Sequence, residues 1–453
     1  MPHTELDPRS KSLSSQLSRR ALWTCWQLAW LVALVVVGLA VGVSAAGGDP
    51  EWRGTDPGAI SSSPDNRAWQ PVIAAGPPAQ VAVAWSDQDS WGASRNVYVR
   101  RSSDNARTWS TVEVISTTTH QSALPDMCLS GTQVFVAWVD QETVGGQNIA
   151  IYEAEVGVGG TRQIPSLIPL TSTWPRLAAG SGKLHMVFNA GAHILYAVRP
   201  LGTATWPTAT PVYTSTAVLG PWFPTLAVGP TGETLHVVWQ EIGFEEWTIM
   251  YMRGDAHGAE VSWGPAQSLS QGSTELFYPT IDADSAGNLH VVWGEAVGTG
   301  DLDQRDQYVR YTRYDLDSSE WLSPAIRVDP DAVRVNQDNP TYTAPSLALR
   351  ERNGQTEVCV AWHGFREGGL GEHVLVSCTS NRGQSWSVPE NVSRSVGEEA
   401  MSLLPSIAFD EWGQLHGVWQ EHNAAMGGSV IYNYQVYHTR ALYEVFLPFV
   451  AGN

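Results

Sequence analysis

The chain has 453 residues, a formal net charge of -19, and lysine only at Lys11 and Lys183. That acidic balance excludes nucleic acid or anionic lipid as a partner, because their phosphates would be repelled. Its four cysteines stand in no metal-ligand spacing with histidine, so neither a metal nor a cofactor is expected.

Residues 1–45 read as an export signal. Arg19 and Arg20 precede an apolar run from Leu28 to Val43, and Val43-Ser44-Ala45 offers small residues for cleavage. Extended back to Ala21, the run is long enough to stay as a membrane anchor. Ser18-Arg19-Arg20-Ala21-Leu22 also resembles a twin-arginine signal. The expected location is extracellular: secreted, or tethered by residues 21–43 facing outward. Residues 46–64 read as a linker.

From residue 65 to residue 440 one pattern recurs. A proline opens a short apolar strand, a turn follows, and a second strand, apolar on both faces, closes on an aromatic. The prolines are Pro71, Pro125, Pro175, Pro224, Pro279, Pro345 and Pro405; the closing aromatics are Trp85, Trp138, Phe188, Trp239, Trp293, Trp362 and Trp419. Proline suits the first residue of a strand, where its missing N–H removes no ladder bond. A second strand such as LHVVW needs cover on both sides, which neighbouring sheets provide. A third strand follows each variable loop, and a short fourth starts near a Trp-Ser or Trp-Pro step. Four strands per unit of roughly 50 residues, repeated, describe an all-β protein: a β-propeller of about seven four-stranded blades, or six if one copy lies outside the ring. Cys359 and Cys378 fall on successive strands and either form a disulfide or are two small buried hydrophobes. His185, His236, His290 and His416 each stand three residues before the closing aromatic of their own blade. At equal radius they cannot converge on one ion, and they read as buried structural groups. Residues 441–453 form an apolar tail. Either this tail or the segment Trp52–Ser63 is expected to complete the last blade, with the tail packing on the propeller.

Two third-to-fourth-strand hairpins carry a sharper signature. Ser102-Ser103-Asp104-Asn105-Ala106-Arg107-Thr108-Trp109 resembles the Asp box, S-x-D-x-G-x-T-W, with Ala106 where glycine is usual. Thr379-Ser380-Asn381-Arg382-Gly383-Gln384-Ser385-Trp386 is a second match, with Asn381 in place of Asp. On these residues the chain resembles the Asp-box, or BNR-repeat, proteins of the sialidase-like propeller superfamily, over residues 65 to about 440. The resemblance implies that Ser102, Asp104, Thr108, Trp109, Thr379, Asn381, Gly383 and Trp386 are structural and lie on the face opposite the working one. It also implies what a sialidase would need: three arginines, a Tyr nucleophile with a Glu partner, and an Asp acid/base. The family's F/Y-R-I-P element is missing from the first repeat. Arg176 stands at a comparable point of the third unit, while Arg305, Arg334, Arg366 and Arg394 lie in working-face loops, with Tyr342 or Tyr278 as nucleophile.

Two further sets fall on that face. Asp87, Asp140, Glu241, Glu295 and Glu421 each stand two residues past a repeat tryptophan; they form either a ring suited to acid/base cleavage of a glycan or a set of local caps, one per blade. Aromatic residues crowd the same loops, with Trp91, Trp222, Trp247, Tyr278 and Phe365 as the sugar-stacking candidates. Three functions follow as expectations. The first is a monomeric propeller that recognises a glycan or an extracellular protein. The second is a glycoside hydrolase or polysaccharide lyase. The third is a non-catalytic surface module.

Overall fold

The second strand of every repeat is the most deeply buried element, and its closing aromatic is the anchor: all six repeat tryptophans and Phe188 are at most 2% exposed. The computed structural model describes residues 58–61, 67–88, 94–116, 121–141, 149–158, 162–165, 172–203, 205–217, 219–244, 246–257, 260–270, 275–299, 305–334, 342–352, 354–366, 371–394, 401–422 and 434–441. Within these, the strands assemble into seven antiparallel blades. The first pairs Trp69–Gly76, Gln80–Gln88, Arg95–Ser102 and Glu113–Val114 in order. The same up-and-down order repeats from Gln121–Ser130, Ser172–Gly180, Gly220–Val228, Glu275–Ala283 and Ser346–Arg352, each an inner strand. Val333–Arg334 bridges the fifth and sixth blades through Gln307 and Phe365.

The seventh blade closes the ring. It contains Ser402–Phe409, Leu415–His422 and Tyr434–Ala441, and its outer strand is Gly58–Ala59 from the other end of the chain. Gly58 pairs with His438 and Ala59 with Tyr437. Ile60 donates its N–H to Val436 O at 2.8 Å, and the Ser61 hydroxyl accepts from Val436 N at 2.9 Å. Part of the expected linker is therefore blade. The reason is the exposed edge of Tyr434–Ala441, whose N–H and C=O groups need partners. The tail after residue 441 and the export segment lie outside the described residues. The inner strands touch in sequence around the ring, and that of the seventh blade touches that of the first.

Blade-to-blade contact uses a repeated set of rings. His185, His236 and His290 each share a hydrogen bond with a third-strand tyrosine of their own blade, Tyr196, Tyr251 and Tyr311, at 2.7, 2.9 and 2.8 Å. In the seventh blade His416 pairs with His438 at 3.1 Å. A tryptophan from the next blade then meets that ring edge-on: Trp263 on Tyr196, Trp321 on Tyr251, Trp386 on Tyr311, and Trp109 on His438. The four histidines are thus structural and separate, one per blade. Cys359 and Cys378, directly opposed across a hairpin, form a disulfide.

The two signature hairpins hold the tryptophans in place. The Asp104 carboxylate accepts from Thr108 N at 2.9 Å, Thr108 Oγ1 at 2.7 Å and Ser102 Oγ at 2.7 Å. These bonds pull its pKa down to about 2. Asn381 repeats the pattern, accepting from Ser385 N at 3.0 Å and Thr379 Oγ1 at 2.8 Å. Gly383 has φ +80°, and a Cβ there would stand 2.6 Å from a Tyr311 ring carbon. Gly383→Ala is therefore expected to cost about 2 kcal/mol through strain and overpacking. At the equivalent site of the first hairpin Ala106 already has φ 57°, so Ala106→Gly gains up to about 1 kcal/mol. Thermal melts of both variants check the opposite signs.

Candidate functional site

The site is built from the inner strands at the end away from the signature hairpins. In six blades the residue just before the repeat proline is left-handed: Gln70, Leu124, Trp174, Phe223, Tyr278 and Leu404, with φ between 49° and 56°. Proline disfavours the helical region for its predecessor. Each of these residues sits where the inner strand slips register by a bulge against the second strand. Non-glycine residues in this conformation cost about 1 kcal/mol or more apiece. A strained residue repeated at one end of the ring re-aims a side chain in blade after blade.

The side chains so placed divide the axial mouth into two halves. On one side the Trp174 and Phe223 rings meet edge-on at 4.4 Å, and Phe223 and Tyr278 at 4.5 Å. The arc continues through Phe277, 6.0 Å from Tyr278, to Tyr342 at 4.3 Å. On the other side are Leu404, Gln70 and Leu124. There Gln420 Oε1 accepts from Gln70 N, and Gln70 Oε1 from Leu124 N, both at 3.1 Å.

Just past the prolines, polar side chains stitch neighbouring inner strands. An inner strand has one edge with no ladder partner, so its N–H groups need acceptors. Asp126 takes Leu177 N at 2.7 Å, Ser346 takes Ile407 N at 3.1 Å, and Ser406 takes Ile73 N at 3.2 Å. Arg176 pairs with Asp126 at 3.6 Å. Burial raises the Asp126 carboxyl against the pull of Arg176.

Four of the five carboxylates past the tryptophans bond a side chain of their own blade, and Glu241 also reaches the third blade. Residues i and i+2 share a strand face, so the indole N–H of Trp85 donates to Asp87 at 3.2 Å, that of Trp239 to Glu241 at 2.9 Å, and that of Trp419 to Glu421 at 2.7 Å. Glu241 also accepts from Ser215 Oγ and from Tyr213 OH, whose pKa burial and this carboxylate push up to about 12. Glu295 is held instead by Arg310, and Asp140 is fully buried in the second blade. The arrangement is that of local caps.

The structure does bring one chemically active group together. Tyr342 OH donates to Glu275, and Arg305 pairs with the same carboxylate at 2.9 Å. Burial and the adjacent Glu275 charge push the phenol well above its ordinary range.

The remaining candidates separate. Trp222 is half-buried, its indole donating to Leu219 O at 2.8 Å. Trp247, expected to be exposed, is 8% exposed because it packs into the core between the fourth and fifth blades. Phe365 is half-buried, its backbone paired with Arg334, whose side chain binds Asp306 at 3.1 Å. Arg394 lies in the turn after the sixth blade, its N–H on Asn391. Trp91 and the Arg366 side chain lie outside what is described. Three residues of the site escaped the sequence reading, Gln70, Trp174 and Glu275. Trp174 precedes Pro175 at the same offset as Phe223 and Tyr278, so the repeat itself carried the signal. Glu275 had none: it meets Tyr342 across 67 residues.

No protein-family model and no curated protein matches the chain. In fold the chain is similar to a polysaccharide lyase, an ulvan lyase bound to a GlcA(1-4)Rha3S saccharide, at TM-score 0.55 and 10% identity over 82% of this chain and 93% of that one. It is also similar to the NanB sialidase of Streptococcus pneumoniae, at TM-score 0.48 and 10% identity over 84% and 69% of the two chains. A third likeness is to the intramolecular trans-sialidase of Ruminococcus gnavus, at TM-score 0.47 and 12% identity over 85% and 96%. At such identity a shared fold carries no chemistry with it. The chain folds as a seven-bladed β-propeller, with sialidases and a polysaccharide lyase among its structural neighbours.

Proposed function

We propose that this propeller is exported and recognises a carbohydrate at its axial mouth. The observation that carries the reading is the arc of Trp174, Phe223 and Tyr278, three rings held in strained backbone on adjacent inner strands. A strained, over-determined backbone at one end of a rigid ring marks a place where side-chain direction matters more than local stability. The half-buried Trp174 and Tyr278, backed by Phe223 at 4% exposed, supply a rigid apolar surface for the C–H side of a sugar ring, and Gln70 opposite supplies amide chemistry for hydroxyls. The export signal and the acidic, lysine-poor composition agree with a protein that works outside the cell on a partner without phosphates.

A glycan array, followed by calorimetry on the best binder, tests this. Trp174→Ala and Tyr278→Ala are each expected to weaken binding about tenfold. Binding unchanged in both variants, or no glycan bound by the native chain, would sink the reading.

One observation favours a second reading, cleavage of the bound glycan. Tyr342, Glu275 and Arg305 form a phenol–carboxylate–guanidinium chain beside the aromatic arc. Release of reducing ends, or of an unsaturated product, that disappears in Tyr342→Phe would establish it. Binding without release leaves recognition as the function.

A further inference from the structure

The fifth blade departs from the repeat at three places that meet in one cleft. In the first, fourth and seventh blades the repeat tryptophan donates its indole N–H to the carboxylate two residues on. Directly across the hairpin from those tryptophans stand Tyr98, Met250 and Tyr437. Across from Trp293 stands Arg310. Its guanidinium takes Glu295 through Nε at 2.7 Å and Nη2 at 2.6 Å. Glu295 is thereby drawn from the indole it would otherwise cap, and Trp293 Nε1, in a residue 2% exposed, is left without a hydrogen-bond partner. Trp138 and Trp362 also have unpartnered indole N–H groups. In the fifth blade, however, the tryptophan that carries the unpartnered donor lines a cleft of about 110 Å³ between the fourth and fifth blades. Trp293, Glu295 and Arg310 line it, with Leu269, Leu276 and Pro324 among its apolar walls.

We propose that this cleft is a second binding site, distinct from the axial mouth, for an uncharged polyhydroxy ligand no larger than one sugar ring. A buried unpartnered N–H forgoes a hydrogen bond, so an oxygen acceptor brought to it is rewarded. The polar floor is an ion pair of zero net charge that offers N–H donors and carboxylate acceptors side by side, the combination that neighbouring hydroxyls match. An anionic ligand would have to compete with Glu295 for Arg310, and a cation with Arg310 for Glu295. The leucines and the proline give the apolar contact that the C–H face of a ring needs. The site stands on this geometry and does not rest on the axial reading.

The test titrates glucose, galactose, mannose and xylose into the full propeller, with glucuronic acid and N-acetylneuraminic acid as charged probes, following tryptophan fluorescence and melting temperature. Arg310→Tyr installs the residue type that three other blades carry at that register, as Tyr98, Tyr152 and Tyr437, and releases Glu295 from its guanidinium partner. Saturable binding of at least one neutral sugar is expected. It should weaken at least tenfold in Arg310→Tyr, at a melting temperature no lower than native, and persist in Trp174→Ala. Ala325→Phe, which fills the cleft from its rim without removing a polar group, should abolish it too. Binding confined to the acidic sugars, binding that survives both cleft variants, or no binding at all would overturn the proposal. Loss in Trp174→Ala with retention in both cleft variants would overturn it as well, and would place the sugar at the mouth.

Discussion

A chain expressed from Ser63 melts roughly 5–10 °C below one expressed from Pro57, although the two differ by six residues that carry no charge. Those residues include Gly58–Ala59, the outer strand of the seventh blade, and Ile60, which is 2% exposed. Losing Ile60 alone removes about 2 kcal/mol of apolar burial. The Ile60 N–H to Val436 O bond, the Ser61 hydroxyl accepting from Val436 N, and the Arg100 Nη1 bond to Ile60 O at 2.9 Å go with it, at about 1 kcal/mol each. The total is about 5 kcal/mol, and it falls on the one blade assembled from both ends of the chain. The same truncation bares the edge of Tyr434–Ala441, so faster aggregation should accompany the lower melting temperature. Equal melting temperatures for the two chains would mean that the ring closes without this strand.

Acidification from pH 7 to about 5.5 should destabilise the propeller by several kcal/mol, before any ordinary carboxylate has titrated. Burial pulls His185 and His236 down to about 4 and His363 to about 3, and it pulls His438 well below its ordinary value. Nearby cations add to this: Lys183 at His185, Arg253 at His236, and Arg440 at His438. A histidine depressed in the folded state is neutral there while the unfolded chain takes up its proton near pH 6.5. The unfolded state then binds more protons, so stability is full above about pH 6.5 and falls as pH drops toward the folded values. Asp282, raised by burial to about 6, acts in the opposite sense and cancels part of one proton. The net is about two protons across this window, or roughly 3 kcal/mol per pH unit. Urea melts at half-unit pH steps measure that slope. His236→Leu, which removes one of the titrating groups, should flatten it by roughly half a proton. A stability flat from pH 7 to 5.5 would mean that these histidines are hydrated in the folded state.

The repeat could be read from sequence because each blade writes its own pattern locally. The proline that opens an inner strand and the aromatic that closes the second, as in Pro224 and Trp239, sit in one hairpin, and strand periodicity puts them there whatever the other blades do. The opposition of Cys359 and Cys378 was legible as one of two readings for the same reason, since both belong to one antiparallel pair. The carboxylates past the tryptophans were legible only as a pattern with two meanings. A ring of acids and a set of caps have the same spacing, and the indole N–H of Trp85 or Trp419 makes them caps. The aromatic candidates divided in the same way. Trp247 and Tyr278 look alike in sequence, yet Trp247 is buried in the core between two blades, while Tyr278 is half-buried at its edge, on a bulged inner strand.

By itself, then, the order of residues determined what each blade is: four strands, a proline-led inner edge and a doubly covered second strand, with a hairpin tied by Asp104 in the first blade and by Asn381 in the sixth. Only the closed ring decided what the blades do to one another. Ring closure joined Gly58–Ala59 to Tyr434–Ala441, brought Tyr342 to Glu275, and lined up Trp174, Phe223 and Tyr278 along one mouth. The physical reason is range. Strand pairing and turn geometry act within a hairpin, whereas contacts between blades depend on how many sheets share the axis and at what angle, a property of the whole circuit that no single repeat contains.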